Sequence, residues 1–142
     1  MNRWRMIAGA LLIPLALAAC GSSGSSGPAT GPTAPASRPS SPAKISILSP
    51  HNGEVIHGDT LPIHLALKNA QIVKPTTTHI NPRKGHIHVS LDGSIVSMNY
   101  GLKDTISKIT PGTHTLRVEF VASDHLPFDP RVFQEIAFEV KK

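Results

Sequence analysis

Apolar and polar side chains alternate in several short segments between residues 44 and 142. The alternation is clearest in residues 61–68, 86–91, 115–120 and 135–140. A period of two places neighbouring side chains on opposite faces of a strand, and no window shows the sustained 3.6-residue period of an amphipathic helix. The predicted strands lie near residues 45–47, 54–56, 61–68, 70–73, 86–91, 94–100, 115–120 and 136–140.

Turn-forming residues separate these strands at short intervals, with Asp92-Gly93 typical of a hairpin turn. The sequence therefore predicts an all-β domain of seven or eight short strands, arranged as an immunoglobulin-like β-sandwich. A small β-barrel is the alternative. The domain lacks the Cys-Trp-Cys hallmark of antibody domains, and we expect Phe120, Phe133 and Phe138 to be the large core residues.

The first 19 residues have the layout of a secretory signal peptide. Arg3 and Arg5 form a positive segment, and residues 7–19 form an apolar segment that ends in small residues. The tetrapeptide Leu17-Ala18-Ala19-Cys20 resembles the lipobox of bacterial lipoproteins. This resemblance implies that Cys20 becomes the first mature residue and carries a diacylglycerol, with a signal that is simply not cleaved as the alternative.

Residues 20–43 form the predicted membrane tether. Apart from Cys20 and Arg38, this segment consists of Gly, Ser, Pro, Thr and Ala, so it lacks the apolar surface needed to fold and we expect it to be disordered. A glycosylated stalk is the alternative. The expected location is the cell envelope, with the lipid on Cys20 as the membrane contact and residues 44–142 as the folded domain.

The charge and cysteine content exclude several kinds of partner and site. The chain has 14 basic and 9 acidic residues, and loss of Arg3 and Arg5 with the signal leaves 12 basic against 9 acidic, a net charge of +3. The basic residues are scattered rather than clustered, so we expect no nucleic-acid partner. Cys20 is the only cysteine, which excludes disulfides and thiolate metal sites within the folded domain.

Three blocks in the second half of the chain resemble an uncharacterised His-rich bacterial domain family. They are GHIHVSLDG at residues 85–93, PGTHTLRVEFVASDH at residues 111–125 and PFDPRV at residues 127–132. The family carries a "GHHH" strand, from which this chain departs by having Ile87 between His86 and His88. The resemblance implies an exported β-domain and names no chemistry.

Eight histidines lie in the mature chain and are its main candidates for specific chemistry. His86 and His88 are two apart on a predicted strand, so their side chains leave the same face and can reach one metal ion. Imidazole with thioether would suit copper, whereas imidazole with a carboxylate such as Asp124 would suit zinc. The candidate metal ligands are His86, His88, His79, His114, His125 and Met98.

Other roles for these residues remain open at this point. His86 and His88 occupy the polar face of their strand, where they would be solvated if no metal binds. His114 and His125 are expected to bond backbone groups and stabilise the turns beside them. His51, His57 and His64 are taken as surface residues.

The leading functional hypothesis is a membrane-anchored lipoprotein that presents a non-catalytic domain to an unidentified protein or small ligand. Extracytoplasmic copper or zinc binding through histidines is the alternative. A hydrolase is the least favoured class, because a G-x-S-x-G motif is absent and Asp124-His125 has no distinctive serine partner. We therefore predict that the protein is not an enzyme.

Overall fold

The computed structural model describes residues 37–74 and 76–142, and this part of the chain is all-β. The predicted signal peptide and Cys20 lie outside the described residues. No helix in the described ranges is long and apolar enough to cross a membrane. The strands are β1 (Lys44–Ser49), β2 (Val55–His57), β3 (Thr60–Lys68), β4 (Gln71–Ile72), β5 (Lys84–Leu91), β6 (Ser94–Asn99), β7 (Lys103–Ser107), β8 (Gly112–Ala122) and β9 (Pro127–Lys141).

The strands form two sheets whose order is that of an immunoglobulin-like sandwich. One sheet has the order β1-β3-β7, and the other has the order β2-β9-β8-β5-β4 with β6 also paired to β5. These orders correspond to strands A, B and E in one sheet and to G, F, C and C′ in the other. The fold class predicted from the sequence is therefore confirmed, with nine strands in the described residues instead of seven or eight.

The core lies between the two sheets and is mainly aliphatic. Ile63, Ile87 and Val118 are completely buried, as the alternation along β3, β5 and β8 requires. Among the predicted aromatic core residues, Phe120 and Phe138 are buried, but the expectation for Phe133 is wrong. Strand alternation places Phe133 on the outer face, where it is 46 % exposed under the guanidinium of Arg117. Phe128 is the other large aromatic core residue among the residues that the structure describes.

Residues 37–43, assigned to the tether in the sequence analysis, lie against the domain. Arg38 contacts the turn between β8 and β9, and the carbonyl oxygen of Pro39 accepts a hydrogen bond of 3.1 Å from the Asp129 amide. Ser41 donates a hydrogen bond to the Pro82 carbonyl oxygen. The folded unit therefore begins before residue 44, because backbone and side-chain polar groups of this segment have partners on the domain.

Candidate metal centre

Strand β5 carries two histidines on the outer face of the six-stranded sheet. Ile87 and Val89 fill the core, so His86 and His88 point away from it. Both imidazole side chains are nevertheless buried, with residue exposures of 1 % for His86 and 7 % for His88. The expectation that this pair is solvated on a polar strand face is therefore wrong.

Gly85, at the start of the same strand, explains how a third histidine comes near. Gly85 pairs with Ala122 of β8, and a Cβ atom at Gly85 would collide with the backbone oxygen of Val121. The two strands approach closely here because no side chain separates them. The end of β8 and the turn that follows it are thereby held beside His86.

His125 lies in this turn with a left-handed backbone conformation (φ 66°). Its amide donates a hydrogen bond to the Ala122 carbonyl oxygen at 3.0 Å, and the Ala122 amide donates to the Leu126 carbonyl oxygen at 3.0 Å. A side chain in this conformation costs on the order of 1–3 kcal/mol, and such strain concentrates at functional sites. The turn aims the His125 imidazole at His86 and His88.

The three imidazoles converge on one small volume. The Nε2 atom of His86 lies 3.2 Å from Nε2 of His88 and 2.9 Å from Nδ1 of His125. One ligand nitrogen from each ring lies within 4.8 Å of the other two. Tetrahedral coordination with bonds of about 2.0–2.1 Å places ligand atoms about 3.3–3.4 Å apart. Two of the three edges therefore already have nearly the length that a shared metal ion requires.

The Nε2 atom of His86 can form a well-aligned hydrogen bond with only one of its two neighbouring nitrogens. A neutral imidazole nitrogen carries either one N–H or one lone pair in the ring plane. It therefore cannot form a linear hydrogen bond with both His88 and His125, although both nitrogens lie within hydrogen-bond distance. A cation between three lone pairs satisfies all three nitrogens at once.

The surroundings keep the strand histidines neutral. Burial, followed by repulsion from His125 and His88, lowers the pKa of His86 to about 4. Burial, with repulsion from His125, also lowers the pKa of His88. Neutral imidazole is the form that binds metal ions, so at neutral pH both rings offer lone pairs without losing a proton.

The neighbouring polar groups fix the orientation of His125. Its Nε2 atom lies 3.1 Å from the hydroxyl of Thr76, in the loop that precedes β5. When Nε2 donates to that hydroxyl, Nδ1 carries the lone pair and faces the other two histidines. The amide of Thr77 also donates to the carbonyl oxygen of Ser123, so the loop before β5 and the turn after β8 are joined over this face.

Two carboxylates lie near the cluster, and each is bound by an arginine. Asp124 Oδ2 and Oδ1 accept hydrogen bonds from Arg38 at 2.6 and 2.9 Å, and Glu119 accepts two from Arg131, each at 2.6 Å. The hydrogen bond from Arg38 holds the pKa of Asp124 below its usual value. Asp124, suggested by the sequence as a zinc ligand, is thus engaged by Arg38 and is not among the three converging residues.

The remaining candidate ligands occupy other positions. His114 does not join the cluster, because its Nδ1 pairs with Asp92 and its Nε2 donates to the Thr110 carbonyl oxygen, both at 2.7 Å. It therefore stabilises the neighbouring turns, as the non-metal interpretation expects. His79 is exposed and is not among the three converging residues. Met98 lies on β6 directly opposite His88.

A groove of about 380 Å³ opens beside the cluster on the outer face of the sheet. It provides a path from solvent to the buried imidazole of His88 and the partly buried imidazole of His125 without any change in the fold. Its other lining residues include Ile95, Arg117, Glu119 and Glu135.

Sequence analysis missed several residues that build this site. The sequence pattern predicts a disordered tether at Arg38 and indicates no role at a site for Thr76, Glu119 or Tyr100. The ring of Tyr100 packs against His86 with centroids 5.3 Å apart. The only available signal for Tyr100 was its even-numbered spacing from Met98 on the same predicted strand.

Comparisons with known proteins give a general fold likeness only. No family model and no curated protein matches the chain. Fibronectin(III)-like modules of Clostridium thermocellum CbhA are 16 % identical over 68 % of this chain and 94 % of theirs, with a TM-score of 0.47. The endo-β-1,4-mannanase of Thermotoga petrophila is 14 % identical over 70 % of this chain but only 20 % of its own, with a TM-score of 0.46. The PKD domain of human KIAA0319 is 16 % identical over 85 % of this chain and 92 % of its own, with a TM-score of 0.44.

Proposed function

We propose that this chain is a membrane-anchored extracytoplasmic lipoprotein whose β-sandwich is a non-catalytic domain that binds copper or zinc. His86, His88 and His125 are the proposed ligands. The observation that carries the proposal is the double contact of His86 Nε2 with a nitrogen of each other ring, at 3.2 and 2.9 Å. Metal binding specifies the ligand that the binding-domain hypothesis left open.

The chemistry of the donor set supports a late first-row metal. Three imidazoles suit zinc and copper, whereas calcium and magnesium require oxygen ligands. The hydrogen bond between His125 and Thr76 supplies the kind of outer partner that metal-bound histidines usually have. Both described carboxylates beside the site are bound by arginines, which favours metals that accept an all-nitrogen set.

The anchoring part of the proposal rests on the sequence of residues 1–20. The charged and apolar segments followed by Leu17-Ala18-Ala19-Cys20 favour export and lipidation of Cys20. The domain would then face the periplasm or the exterior, which is where a cell-envelope protein meets extracellular metal ions. A mass increase on Cys20 that is lost in the Cys20→Ala variant would test this part by mass spectrometry.

Metal titration tests the binding part. The protein used is residues 20–142 with Cys20→Ser, so that neither lipid nor thiol contributes. Calorimetry with Cu(II) and with Zn(II) should give one site per chain in the wild-type domain. The double variant His86→Ala/His88→Ala should lose that site, whereas His64→Ala should retain it because His64 lies on β3 of the other sheet.

Two outcomes would overturn the metal proposal. The first is the absence of saturable heat with Cu(II) and with Zn(II) at micromolar protein, together with the absence of Cu(I) binding under reducing conditions. The second is equal binding by the double variant and the wild type, which would assign the heat to exposed histidines. Circular dichroism of the double variant shows whether it is folded, and the single variant His86→Asn provides a milder substitution if it is not.

A further inference from the structure

A β-bulge in the β5–β6 hairpin controls which side chain of β6 faces the three histidines. At the turn, Leu91 pairs with Ser94 and Ser90 with Ile95. Continued without interruption, this register would place Ser97 opposite His88 and Met98 opposite Ile87, on the core face. The register instead shifts between Val89 and Ser90.

The shift brings Met98 to the histidine face. After the bulge, His88 pairs with Met98. Directly opposed residues of an antiparallel pair have Cβ atoms about 4.5–5.5 Å apart on the same face. Tyr100, two residues further along the chain and just beyond the end of β6, packs its ring on His86 and so also lies on the histidine side. Bulges often redirect a side chain next to a functional site.

The side chain of Met98 is not packed into the core. Met98 is 50 % exposed, although it is apolar and stands beside two buried imidazoles. Its three rotatable bonds let the sulfur swing towards His88 without backbone change. Because it is exposed, the Met98 side chain has no packing role in the domain core.

The charges of the proposed ligands and their neighbours also affect which metal ion the site prefers. Three neutral imidazoles and one thioether carry no negative charge, and the nearby carboxylates Asp124 and Glu119 are each bound by an arginine. The cost of burying an ion rises with the square of its charge, so a dication costs about four times as much as a monocation. Without a negatively charged ligand, this greater cost for a dication is not offset by charge neutralisation, so this donor set suits a monovalent ion better than a carboxylate-containing set would.

We infer that Met98 is the fourth ligand of the site and that its preferred ion is copper(I). Thioether and imidazole together suit this soft monovalent ion, whereas zinc(II) gains little from a thioether. This inference rests on the proposed function, because Met98 acts together with His86, His88 and His125. It makes the bulge a device for metal selectivity.

Copper(I) competition measurements test the inference. Residues 20–142 with Cys20→Ser would be titrated anaerobically, in the presence of a reductant, against a chromophoric copper(I) chelator. Met98→Leu should weaken copper(I) binding at least about tenfold and change zinc(II) binding less than about twofold. Leu48→Ala, at a similarly exposed apolar position (55 %) on β1 of the other sheet, should leave both affinities unchanged.

X-ray absorption provides a direct readout of the sulfur. The three methionines of the chain are Met1, Met6 and Met98, so this protein contains a single sulfur atom. Copper(I) bound to it should show a sulfur shell that disappears in Met98→Leu. A nitrogen-only shell, or equal copper(I) affinity in wild type and Met98→Leu, would overturn the inference and leave the three-histidine site standing. Absence of binding of copper(I), copper(II) and zinc(II) would overturn the proposed function as well.

Discussion

Replacing His86 with leucine distinguishes two roles for the histidine cluster, a metal site and a structural hydrogen-bond network. In a structural role, the buried imidazole would contribute a hydrogen bond, and its loss together with stranded partners would cost about 2–3 kcal/mol. In the metal-site account, His86 Nε2 faces two nitrogens and forms a well-aligned hydrogen bond with only one of them. Leucine then removes one hydrogen bond but gains apolar burial, so the metal-free variant should lose no more than about 1 kcal/mol.

The stabilisation produced by metal should differ between the wild type and His86→Leu much more than their metal-free stabilities do. A ligand at 100 times its Kd stabilises the folded state by about 2.7 kcal/mol. For a domain of about 100 residues, each kcal/mol raises Tm by about 4–8 °C, so saturating metal should raise the wild-type Tm by about 10–20 °C. His86→Leu should show a rise of less than about 2 °C.

Differential scanning calorimetry with and without Zn(II) or Cu(II) measures both quantities on the same samples. His64→Ala is the matched control, since it removes an exposed imidazole and should keep the full metal-induced rise. The reasoning is refuted if metal leaves the wild-type Tm unchanged while metal-free His86→Leu loses 3 kcal/mol or more. That pair of results would identify the cluster as a structural hydrogen-bond network.

Three further predictions concern residues around the cluster. The free energy of unfolding of His125→Gly in urea should remain within about 1 kcal/mol of the wild-type value, because glycine relieves the positive φ of this position. The variant should nevertheless lose metal binding in the calorimetric titration. A stable variant that still binds metal would contradict the ligand assignment. Arg38→Gln should weaken metal binding about tenfold without unfolding the domain. Arg38 holds the turn that carries His125 through hydrogen bonds to Asp124 and to the carbonyl oxygens of Pro127 and Leu126. Unchanged metal affinity by calorimetry would disprove this positioning role. Asp92→Asn should destabilise the domain by about 1 kcal/mol at pH 5.5 and by less at pH 9. The hydrogen bond that His114 donates to Asp92 raises the pKa of His114, so the charged pair contributes fully below the unfolded-state pKa of His114 and is lost as pH rises through its raised folded-state value. Urea unfolding at both pH values checks this, and an equal loss at both would contradict the pairing.

Local sequence patterns predicted the parts of the structure that depend on local geometry. The period-two alternation predicted the buried faces of β3, β5 and β8, and Asp92-Gly93 forms the predicted hairpin turn with positive φ at both residues. The same alternation correctly placed His86 and His88 on one face. Strand β7 was not predicted because Lys103–Ser107 contains one buried apolar residue, Ile106, and so shows no alternation.

The convergence of the third histidine could not be predicted from local sequence. His125 is 39 residues from His86, and they meet because β8 pairs with β5 in the register that joins Gly85 to Ala122. Strand partners and register depend on the whole fold rather than on any one segment. The sequence therefore named His125 as one of four additional candidates without distinguishing it from the others.

The position of Met98 shows a second limit of sequence reasoning. Counting from the Asp92-Gly93 turn without a bulge would place Met98 opposite Ile87, on the core face. The irregularity between Val89 and Ser90 reverses this placement. No residue type in the hairpin requires a bulge at that point, so its presence followed only from the three-dimensional structure. The same holds for the burial of His86 and His88 by distant segments.

Anomalous diffraction from crystals of the metal-loaded domain tests the central claim most directly. Data collected on both sides of the copper or zinc absorption edge should give one strong peak about 2.0–2.1 Å from Nε2 of His86, Nε2 of His88 and Nδ1 of His125. A peak on exposed histidines such as His51 or His57, or no peak within reach of these three nitrogens, would contradict the proposal that the cluster is a metal centre.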